Sequence, residues 1–384
     1  MKALAYFGKN DVRVVDKPRP KIEHPEDCIV RVTTAAICGS DLHLYHAMVP
    51  DLRIGHVFGH ECVGIVDEVG SEVTAVRPGD RVVVPFNIAC GRCFYCSRSL
   101  FSQCENVNAY NDLGGFMGYS HTTGGYDGGQ ADYVRVPFAN FGPRRVPPEV
   151  SDRQAVMLAD IFPTAYFGCD IAEIERGDTV AVFGCGPVGL LAQRCAKQFF
   201  GAERVIAIDQ VPYRLEMAAR ECDAQIVDFS KEPDVVGRLK EMTGGRGPDV
   251  CIDAVGLEAD GSPLRSLSGA LSLEAGSITA LVWAINAVRN GGHVSIIGVY
   301  GPPFNHFFPI GLAMNRNLTL RMGQCNVPRY LDDLMRRTRE GEIDPSFVVT
   351  HEMPLARAPK GYDMFERKRD GAIKVLLHPE PVAA

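Results

Sequence analysis

The rhythm of apolar and polar positions changes near residue 150. Before it, short β-branched runs recur at close spacing: Cys28-Ile29-Val30-Arg31-Val32, Val63-Gly64-Ile65-Val66-Asp67-Glu68-Val69 and Arg81-Val82-Val83-Val84. Gly, Pro and Asp bound each run, which predicts strands joined by turns. Helical periodicity is scarce there, so the pattern predicts a partly open, barrel-like β domain. After Val150, apolar runs alternate with amphipathic stretches. Strands are expected at 179–183, 205–208, 226–227, 250–252, 293–299 and 318–320, with helices at 187–200, 213–222, 235–243 and 278–289. Gly201 stands where it would end the first of these helices in the left-handed conformation. Strands alternating with helices mean βαβ units and a parallel sheet. Residues 257–276, rich in Gly, Ser, Leu and Ala, lengthen one connection, and so long an insertion is functional or mobile. A charged helix at 330–340 then leads into a strand-like 373–377, read as a return to the first domain.

With 384 residues, one hydrophobic core is outgrown and two domains are expected. A content of 46% hydrophobic and 23% charged residues is that of a soluble globular enzyme. Forty basic residues against 47 acidic give a net charge of -7, which offers no attraction to nucleic acid or anionic lipid. No run approaches the roughly 18 apolar residues that span a bilayer. Asp11 and Arg13 interrupt any apolar leader segment, so a cytoplasmic protein is expected. The sequon at Asn317 is then a chance match. Thirteen cysteines therefore point to metal where they cluster and to packing where they scatter. Cys28, Cys62, Cys169, Cys195, Cys222 and Cys251 sit among apolar residues and are read as core.

Gly184-Cys185-Gly186-Pro187-Val188-Gly189 is a G-x-G-x-x-G that follows a buried strand and opens a helix. An acid, Asp209, ends the next strand 20 residues after Gly189. In that context the glycines let backbone amides approach a pyrophosphate at a helix N-terminus, and Asp209 accepts from the adenosine ribose hydroxyls. The acid would repel a 2′-phosphate, which favours NAD over NADP, although Arg214 nearby could serve a phosphate. The bland alternative is a tight turn in a flavodoxin-like sheet.

Cys90-x2-Cys93-x2-Cys96-x7-Cys104 offers four thiolates within residues 90–104. Four thiolates make a closed tetrahedral zinc shell, a structural site with no open position. An iron–sulfur cluster usually has a different final spacing, and the remaining alternative is a loop of reduced cysteines. Catalytic metal needs ligands from separate segments. Cys38, in Ala36-Ile37-Cys38-Gly39-Ser40-Asp41-Leu42-His43, and His60 with Glu61, in Phe58-Gly59-His60-Glu61-Cys62-Val63-Gly64, make an open zinc site plausible once a third ligand is found.

Together these segments resemble the zinc-containing medium-chain alcohol dehydrogenases. Gly59-His60-Glu61-x2-Gly64-x5-Gly70-x2-Val73 is similar to the zinc signature of that family, and Cys38-Gly39-Ser40-Asp41-x-His43 to its ligand-and-relay segment. The resemblance covers essentially the whole chain. It implies an α/β architecture: a GroES-like, β-rich catalytic domain at 1–153 and a doubly wound, parallel-sheet Rossmann domain at 154–325. Residues 326–384 would return to the catalytic domain. It implies two zinc ions and NAD as cofactors. Cys38 and His60 would bind the catalytic zinc, with Glu61 as an outer-shell or alternate ligand. The third ligand falls in Leu158-Ala159-Asp160-Ile161-Phe162-Pro163-Thr164; many relatives carry Cys there, and here Asp160 takes the position. Ala159–Thr164 together with Gly128-Gly129-Gln130-Ala131-Asp132-Tyr133-Val134 resembles the formaldehyde dehydrogenase-like branch. Some of its members have an extended loop that grips NAD, and 257–276 is a shorter segment in the comparable place.

The resemblance also implies the chemistry. The metal acidifies a substrate hydroxyl, Ser40 takes the proton, and nicotinamide ribose hands it on to His43. Hydride leaves for the nicotinamide, near which Thr164 packs. The expected partner is a small-molecule substrate, either an alcohol or an aldehyde hydrate, and the family habit is a homotetramer rather than a dimer. Phe86, Phe116, Met117 and Phe304 are the residues expected around the substrate. Three rivals stand beside this reading: a general alcohol, polyol or threonine dehydrogenase, an NAD-binding redox sensor without turnover, and a zinc-independent quinone reductase. The last usually lacks both the cysteine cluster and the catalytic ligands.

Overall fold

A computed structural model describes residues 1–49, 51–256, 278–300 and 308–379. The segment 257–276 and Phe304 lie outside these residues. The chain divides into two compact units, Met1–Pro163 with Cys325–Ala384, and Thr164–Gln324.

The first unit is built on one mixed sheet. Its strands run in the order Val349–Pro354, Lys374–His378, Cys28–Ile37, Cys62–Val69, Arg81–Val84 and Arg144–Arg145, and Tyr133–Val136 also pairs with Cys28–Ile37. The ten-residue strand Cys28–Ile37 is the hub: it is almost wholly buried, and antiparallel partners lie along both its sides. Register matters most at its C-terminal end. Ala35 pairs with Cys62, the Ala36 amide donates to the Glu61 carbonyl at 3.2 Å, and Ile37 faces Val375. Cys38, His60, Glu61 and Lys374 are therefore gathered at one end of one sheet. The Phe86 amide donates to the Ala159 carbonyl at 3.0 Å, which draws Asp160 to the same end. Gly64 permits the close strand spacing, because a Cβ there would sit 2.2 Å from the Arg31 carbonyl oxygen.

The second unit holds six parallel strands in the order Gln225–Asp228, Arg204–Asp209, Thr179–Phe183, Val250–Asp253, His293–Ile296 and Thr319–Met322. This is the doubly wound order whose direction reverses beside the first strand, where ligands bind in such sheets. Helices Pro187–Gln198, Pro212–Cys222, Val235–Met242, Thr279–Ala287 and Ile310–Asn315 connect its strands.

Some element limits differ from expectation. The strand foreseen at 293–299 stops at Ile296, because the amides of Ile297 and Gly298 both turn onto the Asp253 carbonyl. The helix foreseen at 330–340 begins earlier, at Val327; Pro328 is tolerated there because first-turn amides have no intrahelical partner. The helix foreseen at 187–200 ends at Gln198. Gly201 lies beyond it with φ of +78°, and the Ala202 amide closes back on the Ala196 carbonyl at 3.0 Å. Among the described residues no helix is long and apolar enough to cross a membrane.

Candidate metal centres and dinucleotide site

All four clustered cysteines are buried, with their sulfurs within 4.8 Å of one another. Cys90 and Cys96 sulfurs are 4.0 Å apart, and those of Cys93 and Cys104 are 3.9 Å apart. Tetrahedral zinc with Zn–S bonds of about 2.3 Å needs sulfur separations of about 3.8 Å. The thiols are thus already arranged as a shell. At Cys93 burial works against the thiolate, but amides of Cys96 and Glu105 outweigh it and bring the pKa down to about 7. Burial pushes the Cys104 thiol up to about 11.

The second centre forms at the sheet end described above. One donor atom from each of Cys38, His60, Glu61 and Asp160 lies within 4.8 Å of the others. Asp160 Oδ2 is 3.6 Å from Cys38 Sγ and 3.2 Å from His60 Nε2. Cys169, the nearest other cysteine in sequence, is buried elsewhere with its thiol against the Ala192 carbonyl.

Asp41 anchors these donors from beneath, wholly buried. It stands at the third position of the short helix Gly39–Tyr45, where its carboxylate accepts from the Cys38 amide at 3.0 Å. Gln130 Nε2 donates to the same oxygen at 3.2 Å, and the other oxygen is 3.1 Å from His60 Nδ1. Tyr362 in turn donates to Gln130 Oε1 at 2.9 Å. Lys374 and Glu61 form an ion pair with neither side chain exposed. Burial disfavours charge on both, but a charge left alone there would cost more than the pair, so Lys374 is held as the ammonium, its pKa raised by Glu61. Burial opposes a cation at His60 as well. Asp41, Cys38 and Asp160 outweigh that, so its pKa stands well above the ordinary value. A buried cluster of thiol, imidazole and carboxylates that so favours positive charge fits a zinc ion.

Ser40 Oγ lies 3.3 Å from His60 Nε2, at the rim of these donors. His43 follows on the same helix, buried, with Nδ1 3.4 Å from the Tyr119 hydroxyl. Burial, with help from His46, pulls its pKa down to about 4 against the pull of Asp41. The rings of Phe86 and Tyr119 flank His60 edge-on, with centroids 6.2 and 6.4 Å away. Phe116 packs on Phe86 at 5.3 Å, and the Met117 amide donates to the Phe86 carbonyl at 3.0 Å.

In the second unit Gly184 adopts φ of +93°, and a Cβ on Gly189 would fall 1.9 Å from the Gly184 carbonyl oxygen. Turn geometry and helix packing thus account for the first and third glycines. Around Gly186 a Cβ would meet nothing within 4 Å, so protein packing does not require glycine there. That is the side from which a pyrophosphate would approach the helix opened by Pro187 and Val188. Asp209 does more than foreseen. Its carboxylate accepts from the Cys185 amide at 2.7 Å and from the Gln210 and Val211 amides at 2.7 and 2.9 Å. It thereby ties the strand end to the glycine turn, and a carboxylate's lone pairs leave capacity for ribose hydroxyls. Arg214 follows on helix Pro212–Cys222 with its Nε buried and, among the described residues, without a hydrogen-bond partner. Thr164, on helix Ile161–Ile171, opens the second unit.

Residues 24–146 match the alcohol dehydrogenase GroES-like domain, and residues 187–264 match the zinc-binding dehydrogenase family. An uncharacterized zinc-type alcohol dehydrogenase-like protein, AdhB, of Bacillus subtilis (strain 168) is 48% identical over 99% of this chain and 100% of its own. The chain belongs to the zinc-containing medium-chain alcohol dehydrogenases. Within this family of oxidoreductases it is also 37% identical to a formaldehyde dismutase of Pseudomonas putida, over 95% of each chain. Alcohol dehydrogenase TADH from Thermus sp. ATN1 shares the fold with a TM-score of 0.85, at 39% identity over 99% of this chain and 100% of that one. Like its family, this dehydrogenase uses zinc and a nicotinamide dinucleotide.

Sequence reasoning did not single out Asp41, Gln130, Lys374 or Tyr119 for the centre. Asp41 had a signal, as an acid three residues after Cys38 and so able to cap the helix. The other three come from distant segments.

Metal content tests the two donor sets separately. Asp160→Ala is expected to lower zinc by about one ion per chain, with the cysteine cluster still loaded; full zinc with activity would point to another ligand. Cys96→Ser is expected to remove the other ion and to lower the thermal midpoint.

Stability should also depend on pH. His43 and His56 are both held to about 4, mainly by burial, below the ordinary 6.5. Each is neutral when folded and takes a proton more readily when unfolded. Their stabilisation is therefore fully present above 6.5 and is lost as pH falls towards 4. Urea midpoints measured across that range with excess zinc should fall, and His56→Asn should flatten the slope.

Proposed function

We propose that this chain oxidises small alcohols and aldehyde hydrates, formaldehyde hydrate among them, with NAD as the hydride acceptor. The observation that carries this reading is the convergence of Cys38, His60, Asp160 and Glu61 beside the Ser40 hydroxyl. When bound, zinc supplies Lewis acidity and NAD supplies the redox chemistry. Cys38, His60 and Asp160 are the metal ligands in this reading, with Glu61 in reserve and restrained by Lys374. Ser40 takes the substrate proton, and His43, neutral in its buried place, is able to receive it.

Formaldehyde hydrate loses one hydride to NAD and one proton to the relay, and leaves as formic acid. NADH that stays bound could reduce a second formaldehyde to methanol, so dismutation belongs to the same chemistry. Aromatic residues at the centre, Phe86, Phe116 and Tyr119, favour a small substrate, and the similarity to a formaldehyde dismutase favours the aldehyde hydrate. Asp209, which would repel a 2′-phosphate, favours NAD.

The test is NADH formation with purified protein, NAD and formaldehyde, without glutathione, beside a panel of short alcohols. Turnover of formaldehyde supports the aldehyde-hydrate reading; turnover of alcohols alone moves the assignment to a general alcohol or polyol dehydrogenase. Ser40→Ala is expected to cut kcat by about 10²–10⁴ with both zinc ions retained, and near-normal turnover would remove Ser40 from the relay.

We also infer a homo-oligomer, with a tetramer favoured over a dimer. Met322, at the end of the edge strand Thr319–Met322, and Ile310 and Met314, on the helix Ile310–Asn315, are all more than half exposed. Apolar side chains beside an open sheet edge suit a self-complementary contact. Light scattering should report more than one chain per particle, and Met322→Lys should shift it towards monomer; a wild-type monomer would overturn the inference.

A further inference from the structure

Tyr119 owes its place at the metal donors to glycine packing. Gly118 has φ of +50°, and a Cβ on it would lie 2.4 Å from the Gly59 carbonyl oxygen and 2.6 Å from the Gly128 Cα. Backbones of Gly59, Gly118 and Gly128 therefore touch, and the residues after the first two, His60 and Tyr119, are brought together. Their rings meet at 84°, with centroids 6.4 Å apart. From that position the Tyr119 hydroxyl comes within 3.4 Å of His43 Nδ1. His43 is only 6% exposed and lies three residues after Ser40 on one short helix.

We propose that Tyr119 is a positioning residue of the proton path: its hydroxyl oxygen accepts the Nδ1–H of His43 and so presents Nε2 as the proton acceptor. The proposal rests on the reading of Ser40 and His43 as a relay. A neutral imidazole carries one proton, on either nitrogen, and the partner of one nitrogen selects the role of the other. With its proton held on Nδ1, a neutral imidazole is basic at Nε2. The balance is simple: the substrate O–H breaks, the Ser40 hydroxyl exchanges one proton for another, and an N–H bond forms at Nε2. The imidazolium then releases a proton to water, and Tyr119 stays neutral throughout.

The charge that appears on His43 appears in a buried place. Asp41 on the same helix favours it, and His46 opposes it. The oxygen of Tyr119 adds a dipole that favours it, because an imidazolium must donate from both nitrogens. A phenyl ring in that place keeps the packing against His60 and removes the acceptor.

Tyr119→Phe, His43→Gln and the double variant separate the possibilities. The assay is kcat and KM across pH with a short primary alcohol and NAD, with turnover expressed per zinc at the catalytic site. The phenylalanine variant is expected to keep its zinc and thermal midpoint, lose about tenfold in kcat, and hold KM within about twofold. Its acid limb in kcat should move to lower pH by about one unit, since a less stabilised imidazolium has a lower pKa. His43→Gln should lose at least as much, and the double variant no more than His43→Gln alone. An unchanged kcat and limb in Tyr119→Phe, with His43→Gln impaired, would reduce Tyr119 to packing while leaving the relay intact. A fall in kcat without movement of the limb, additive in the double variant, would do the same. Normal turnover in His43→Gln would overturn the relay itself, and this proposal with it.

Discussion

One buried carboxylate, that of Asp41, holds the reaction centre in register. It has no exposed surface, and an unpaired charge in such a place costs several kcal/mol. The cost is offset only if the Cys38 amide, His60 Nδ1 and Gln130 Nε2 all converge on it. Each contact also does something for the metal donors. The first fixes the turn that carries Cys38. The second sets a carboxylate oxygen 3.1 Å from His60 Nδ1, an arrangement that would favour a proton on that nitrogen and turn Nε2 towards the donor cluster. The third links the centre through Gln130 to Tyr362, so the C-terminal segment is bound to the N-terminal sheet by the same network.

Charge balance explains why a lysine is buried beside a zinc-binding cluster. Cys38, Glu61, Asp160 and Asp41 bring up to four negative charges into a small buried volume. A dication at the donors and Lys374 together supply three positive ones. Without Lys374 the surplus would fall on Glu61, which would be drawn further towards the metal. Lys374 comes from the strand paired beside Cys28–Ile37, so sheet register, not local sequence, supplies this compensation.

That distinction also explains what the sequence made legible. Apolar runs placed five of the six parallel strands to within a residue or two, because a buried strand needs a continuous apolar run wherever it sits. Sites whose members lie within a few residues were readable by spacing: the four cysteines within residues 90–104, and the glycine turn with its acid one strand later. The catalytic centre was not readable in that way. Cys38, His60 and Asp160 come from distant segments, brought together by strand register, by Asp41 and by the Phe86 to Ala159 hydrogen bond, and it took the family resemblance to connect them in the sequence. Even the resemblance did not reach Tyr119 or Lys374. Tyr119 depends on three glycine backbones touching, and no periodicity announces that. The strand at 293–299 was overrun for a related reason, since its last residues are apolar but their amides turn onto Asp253.

The two zinc centres place different demands on the same unit. Around Cys90–Cys104 four buried thiols would complete a tetrahedral shell, so a zinc ion held there would tie a loop and leave no position for a substrate. At Cys38, His60 and Asp160 the donor set is mixed and Glu61 is paired with Lys374, which under the proposed reading would keep a coordination position for a substrate oxygen. The glycines at 59, 118 and 128 bring their backbones together, so that the ring of Tyr119 meets that of His60, while Phe86 meets His60 from its own strand end. Replacing Phe86 would leave that glycine contact untouched, whereas any side chain at position 118 would collide with Gly59 and Gly128 and so displace His60 and Tyr119 together. The surroundings of His60 are therefore easier to alter from the Phe86 side than from the Tyr119 side, where three backbones already touch.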